Sequence, residues 1–158
     1  MKEIALVGAV NHVQADVLGA LLKAGLSVNA MVEEPTRVML EDTRLTVSTM
    51  PVEQHDQMVE ALSGYHDAVL VYNDDLQDKE SNERTLKYFV DTVHAAREAG
   101  VSRIIVVGGQ YSEAFYVSDL RRLDDIDWVF ISTEGDYAGR TVAEVVSPSH
   151  HKEVYSRN

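Results

Sequence analysis

The stretch "IALVGAVNHVQADVLGALLKAG", residues 4–25, decides the fold. The run "EIALVG" (3–8) reads as a continuous apolar strand, and Gly8 at its end opens a turn. Val13, Val17, Leu18, Leu21 and Leu22 then recur at helical spacing until Gly25 stops the helix. A strand that passes through a glycine turn into a helix is the first half of a βαβ unit, and it sets the helix N-terminus beside the carboxyl end of the strand. In a phosphate-binding turn of this kind two further glycines follow the first. Here Asn11 and Gln14 stand in those places.

The alternation continues outward from this unit. "SVNAMV" (27–32) and "LTVSTM" (45–50) read as a second and third strand, and "EQHDQMVEALSG" as a helix with Met58, Val59 and Leu62 on one face. "DAVLVY" (67–72) is a fourth strand. "SNERTLKYFVDTVHAAREAG" is the longest helix, with Leu86, Phe89, Val90 and Val93 as its stripe and Gly100 as its stop. "SRIIVVGG" (102–109) and "DWVFIS" (127–132) complete six strands, with a helix over "SEAFYVSDLRRL" between them. Strands apolar on both faces and separated by helices imply an α/β fold with a parallel sheet covered on both sides. Right-handed crossovers make it a doubly wound, Rossmann-like sheet in the order 3-2-1-4-5-6. Residues 1–158 read as one domain, in which 133–158 is a reduced C-terminal segment: loop, a short piece "VAEVV", and a polar tail.

Composition removes several function classes. There is no cysteine, which excludes disulfides, thiolate metal sites and thiol catalysis. The net charge of −12 opposes binding to nucleic acid or to an anionic membrane surface, because phosphate backbones are held by Lys and Arg. No run approaches the ~20 apolar residues of a membrane span, and the N-terminus reads as a strand and not as a signal peptide, so the expected address is cytoplasmic. The six histidines are scattered, and "SHHKE" lacks the spaced partners of a metal site, so no metal ligands are assigned.

In a doubly wound sheet ligands bind beyond the carboxyl ends of the strands, where the strand order reverses between the first and the fourth. The residues expected there are Gly8, Val10, Asn11 and His12 after the first strand, Tyr72 and Asn73 after the fourth, and Gly108 and Gly109 after the fifth. These form the candidate cofactor set, together with Glu33 at the end of the second strand. Gln110 and Tyr111 are the candidate substrate contacts. Asn73, Asp74 and Asp75 suit acid–base groups or ligands for a hard cation, but a polar turn that caps the next helix is the commoner use of such residues. Trp128, at the start of the sixth strand, reads as core or rim packing.

The frame "ALVGA…L…L…AG…V.A.V", with "ALSGYHDAVLVY", "REAGVSRIIVVGG" and "LDDIDWVFIS", resembles the atypical short-chain dehydrogenases of the NmrA-like, NAD(P)-binding group, which includes flavin-reductase-like and epimerase-like proteins. The resemblance covers residues 1 to about 135 and implies a nicotinamide dinucleotide cofactor. The group's turn is Gly-x-x-Gly-x-x-Gly, matched here by Gly8, Asn11 and Gln14. The first glycine allows the tight turn, the second lets backbone approach a pyrophosphate, and the third lets helix and strand pack closely. Asn tolerates the left-handed conformation the second position needs, whereas Gln14 is expected to push the helix outward or turn its amide into the cleft. His12 offers an added donor beside the helix N-terminus.

Where relatives that bind NADP place an arginine, this chain has Glu33 and Glu34. A carboxylate repels a 2′-phosphate and accepts hydrogen bonds from a ribose diol, so NAD(H) is favoured over NADP(H). Thr49 and Met50 replace a Gly-Asp pair that relatives often carry near the adenine. With three contacts altered, a plain strand-to-helix turn that binds no cofactor stands level with a working site.

The chemistry is sparse. No Tyr-x-x-x-Lys pair occurs, and no lysine lies between Lys87 and Lys152, so Tyr111, Tyr116 and Tyr137 lack the partner that lowers a phenol's pKa in conventional short-chain dehydrogenases. No catalytic residue is assigned. The segment after the sixth strand is shorter than in relatives of the group, which leaves a hydride-transfer site without its own cover unless a second subunit in a homo-oligomer supplies one. Three expectations follow. The chain is a weak NAD(H)-binding or sensor-like module with a degraded site; or an NAD-dependent oxidoreductase or epimerase-like enzyme; or a cofactor-free interaction protein.

Overall fold

The computed structural model describes residues 3–8, 12–72, 79–109, 113–132, 141–143 and 153–155. The strands are β1 (Glu3–Gly8), β2 (Ser27–Val32), β3 (Leu45–Thr49), β4 (Asp67–Val71), β5 (Arg103–Gly108), β6 (Asp127–Ser132) and β7 (Glu153–Tyr155). The helices are α1 (His12–Lys23), α2 (His55–Leu62), α3 (Lys79–Glu98) and α4 (Glu113–Leu120), with a 3-10 turn at Pro35–Arg37. The sheet runs β3-β2-β1-β4-β5-β6-β7, and every pair is parallel. Its first six strands follow the expected order 3-2-1-4-5-6. The seventh is a difference. The sequence reading ends in a polar tail, whereas Glu153–Tyr155 pair with Val129–Ile131 of β6. A three-residue strand carries too little alternation to be legible in a polar tail.

The central strands are buried on both faces, as parallel strands between helices must be. On one face Ala5, Val7, Met31, Leu70, Val106 and Phe130 pack with Met58 and Leu62 of α2, Phe89 and Val93 of α3, and Tyr116 of α4. On the other, Ile4, Leu6, Val28, Val69, Ile105 and Val129 pack with Val17, Leu18, Leu21 and Leu22 of α1 and with Val142. Gln14 is itself only 2% exposed, and the Val17–Leu18–Leu21 stripe behind it is fully packed. The long side chain is accommodated inside, which goes against the first of the two alternatives expected for it, an outward push on α1. Trp128 is a core residue at 3% exposure.

Two polar devices pin the register. At the amino end of the sheet, the Arg103 guanidinium meets the Asp67 carboxylate at 3.3 Å through both Nε and Nη2, with Asp67 wholly buried and the His66 ring 2.8 Å from the same carboxylate. A forked, buried ion pair of this kind tolerates little displacement of β4 against β5. On β2, the Asn29 side-chain amide donates to the Tyr65 hydroxyl at 2.8 Å and accepts from the Ser48 hydroxyl at 3.0 Å. That chain of bonds ties β2 to β3 and to the loop after α2.

Candidate functional site: the carboxyl edge of the sheet

Gly8 ends β1 next to Val71 of β4, its partner in the ladder. Its φ is +145°, and a Cβ placed there would lie 2.1 Å from the Val71 carbonyl oxygen. The close approach of the two strand ends thus demands glycine before any ligand is considered. α1 begins at His12, so its N-terminal N–H groups lie at the carboxyl edge, where they suit an anion. Val10 and Asn11 lie outside the described residues, as does the side chain of His12.

On the far side of β1, the backbone N–H of Met50 donates to the Val32 carbonyl at 2.9 Å and holds the end of β3 against the end of β2. Glu33 and Met50 thereby become neighbours on the wall of a cavity of about 550 Å³, completed by Val52, Glu53 and the α3 residues Arg84, Thr85, Lys87, Tyr88 and Asp91. That volume falls in the usual range for small-molecule sites, roughly 300–1,000 Å³. Glu33 carries an exposed carboxylate, whereas Met50 is 2% exposed and forms an apolar wall. Burial, with the nearby Glu33 carboxylate adding to it, pushes the Tyr88 phenol well above its ordinary pKa and keeps it protonated. The Lys87 ammonium lies 4.0 Å from the Glu53 carboxylate.

Sequence reasoning placed Glu33 here and saw in Met50 only a lost Gly-Asp pair. It missed the whole α3 wall. A signal was present: residues 84, 87, 88 and 91 recur at helical spacing as a mostly polar stripe, beside the buried stripe of Phe89 and Val93.

The β4–β6 half of the edge is different. Tyr72 was expected to face a cofactor, yet its ring is 3% exposed and its backbone N–H is spent on the Val107 carbonyl at 2.9 Å. The ring stacks on Tyr116 (centroids 6.0 Å apart) and meets Phe89 edge-on at 5.5 Å. Tyr116 in turn stacks on Phe130 at 5.8 Å and is fully buried. A Cβ on Gly108 would lie 2.6 Å from Cε2 of Tyr116. Gly108 is therefore glycine because the Tyr116 ring fills the space above it, which gives that position a packing role independent of any ligand. Gly109 is buried. Asn73, Gln110 and Tyr111 lie outside the described residues, as do Asp74 and Asp75. Among the described residues no helix is long and apolar enough to cross a membrane, and no three His, Asp or Glu side chains gather as a metal site would require.

A family model described as NAD(P)H-binding matches residues 8–125, three quarters of the chain and the part that builds this edge. The chain belongs to the NAD(P)H-binding family. No curated protein matches it. Among solved structures it is similar to a Bacteroides thetaiotaomicron protein provisionally named an epimerase, at TM-score 0.79 and 23% identity over 98% of this chain and 95% of that one. An oxidoreductase of Lactococcus lactis matches at TM-score 0.78 and 16% identity, over 98% and 89% of the two chains. An NADPH-dependent quinone oxidoreductase of Escherichia coli, solved with NADPH, matches at TM-score 0.73 and 18% identity, over 96% of this chain and 68% of that one. At these identities the likeness is one of fold. The first two neighbours are spanned over 95% and 89% of their own length.

Proposed function

We propose that the chain is a weak NAD(H)-binding, sensor-like module with a degraded dinucleotide turn, not an efficient oxidoreductase. The observation that carries this reading is the cavity at the ends of β2 and β3 with Glu33 on its wall. An adenosine fits such a site: Met50 and Val52 offer apolar surface to the base, and the Glu33 carboxylate accepts hydrogen bonds from the ribose diol. The pyrophosphate would lie against the N-terminus of α1. There Asn11, in place of a glycine, makes close approach harder, which supports weak binding. A bound nicotinamide would supply a hydride donor or acceptor. The residues offered to it by sequence are Asn73, Gly109, Gln110 and Tyr111. The burial of Tyr116 and the absence of a Tyr-x-x-x-Lys pair speak against a built-in proton donor. Localisation in the cytoplasm remains part of this reading.

An NAD-dependent oxidoreductase or epimerase-like enzyme is the second reading, favoured by the full-length match to neighbours named as such. Calorimetric titration with NADH, NADPH and FMN tests the proposal. Micromolar NADH binding with weaker NADPH binding is expected, and Glu33→Ala should weaken NADH roughly tenfold, the size of a lost hydrogen bond to a charged acceptor. Catalytic turnover with a hydride acceptor would move the assignment to the enzyme. No heat from folded protein at millimolar ligand would overturn both and leave an interaction protein. Gly8 is unsuited to this test, since its replacement breaks the sheet whether or not a ligand binds.

A further inference from the structure

Glu53 is set apart from the other residues around the cavity by its backbone. Its φ of +66° is the one left-handed value among the described residues that are not glycine, a conformation disfavoured for any residue with a Cβ. Its carboxylate reaches Lys87 at 4.0 Å, yet the two side chains are 74% and 66% exposed, and pairs so exposed add little to stability. Backbone strain without a return in stability is a feature of ligand sites.

The charges on the cavity wall give that strain a purpose. Glu33, Glu53 and Asp91 face Arg84 and Lys87, three carboxylates against two cations. A ribose 2′-hydroxyl is neutral and sits comfortably in such a field. A 2′-phosphate brings roughly −1.5 to −2 charges and needs a cation of its own. Arg84 and Lys87 are the cations on this wall, and Glu53 already engages Lys87.

We propose that Glu53 is a specificity-determining residue of this cavity: by engaging Lys87 it removes one of the wall's two cations from a ribose 2′-phosphate, so that NAD(H) is favoured over NADP(H). The inference rests on the dinucleotide reading above and adds a second determinant to Glu33. Glu33 repels the phosphate directly, whereas Glu53 acts through Lys87.

The test is the ratio of NADPH to NADH affinity, measured by calorimetry on the full chain for the wild type, Glu53→Gly, Glu53→Gln and Glu53→Gln with Lys87→Ala. Glycine adopts the left-handed backbone freely, so Glu53→Gly folds with a Tm no lower than the wild type. Glutamine keeps the side chain's length and removes only its charge. Both single variants should raise the ratio, by roughly five- to tenfold at low salt, with the gain shrinking as salt is added. Lys87→Ala should abolish the gain, which a merely structural role for Glu53 would not produce. If the wild type binds NADH and neither single variant changes the ratio, the role of Glu53 is overturned and the cavity remains a dinucleotide site. If no protein in the set binds either dinucleotide, the dinucleotide reading itself falls, and this inference with it.

Discussion

Along the carboxyl edge of the sheet, the half formed by β2 and β3 is open and charged, whereas the half formed by β4, β5 and β6 is packed with rings. On the first half, Glu33 and Met50 face a cavity of about 550 Å³ across from the polar stripe of α3. On the second, Tyr72, Phe89, Tyr116 and Phe130 interlock beneath the strand ends, and Gly108 is kept small to admit Tyr116. Both halves carry residue types that suggest ligand binding when read in sequence. Glycine and tyrosine at a strand end serve a close-packed core as readily as a cofactor, because a missing Cβ makes room for whatever lies nearest. An exposed carboxylate at the end of β2 has no such use in packing.

The contrast can be broken in order of effect. Gly8→Ala places a Cβ against the Val71 carbonyl in a backbone geometry that alanine resists, and nothing rigid on either side can yield. A loss of about 4 kcal/mol or more is expected from urea unfolding, with or without NADH present. A loss confined to binding, with stability intact, would make the glycine a ligand contact after all. Gly108→Ala asks only that the Tyr116 ring move, so a cost of about 1–3 kcal/mol is expected. In a Tyr116→Leu background that cost should largely vanish, a non-additivity that measures the contact directly. Equal costs in the two backgrounds would separate Gly108 from the ring.

Tyr72 gives the smallest effect and a pH dependence. Its hydroxyl is buried with no hydrogen-bond partner of good geometry among the described residues, and burial, with the neighbouring Tyr88 adding to it, holds its pKa well above the ordinary 10.0. The unfolded phenol therefore ionises first. The unfolded state binds fewer protons than the native one above about pH 10, and stability falls as pH rises through that range. Near neutral pH Tyr72→Phe should change stability by less than about 1 kcal/mol, since an unsatisfied polar atom is removed and the ring kept. At alkaline pH the variant should lose stability less steeply than the wild type, as followed by urea midpoints across the range. A parallel decline in both proteins would place the alkaline sensitivity elsewhere.

Much of this architecture was legible because strand signals are local. "EIALVG", "SVNAMV" and "DWVFIS" coincide with β1, β2 and β6 to the residue, and the remaining three central strands differ by no more than one residue at either end. The edge was harder. Glu33 was legible because its position follows from the strand it terminates. Tyr72, Tyr116 and Gly108 could be placed at strand ends or on a helix, but their orientation depends on which ring fills which space, and that is settled among four elements at once. Gln14 shows the same limit, since the room inside decides whether its side chain displaces α1.

By itself the sequence determined an α/β chain with six parallel strands, the strand order, the crevice where that order reverses, and a carboxylate at the end of β2 in place of a phosphate-binding arginine. The strands, their order and the crevice follow from periodicity within a dozen residues and from the handedness of crossovers, whereas the contrast with an arginine is what the resemblance to NADP-binding relatives implies. Tertiary structure alone decided that Arg84, Lys87, Tyr88 and Asp91 close a cavity against Glu33 and Glu53, that three residues of a polar tail extend the sheet by β7, and that two of the edge glycines answer to packing. Those facts join segments up to some sixty residues apart, and a side chain's neighbours across such a gap are set by how whole elements dock.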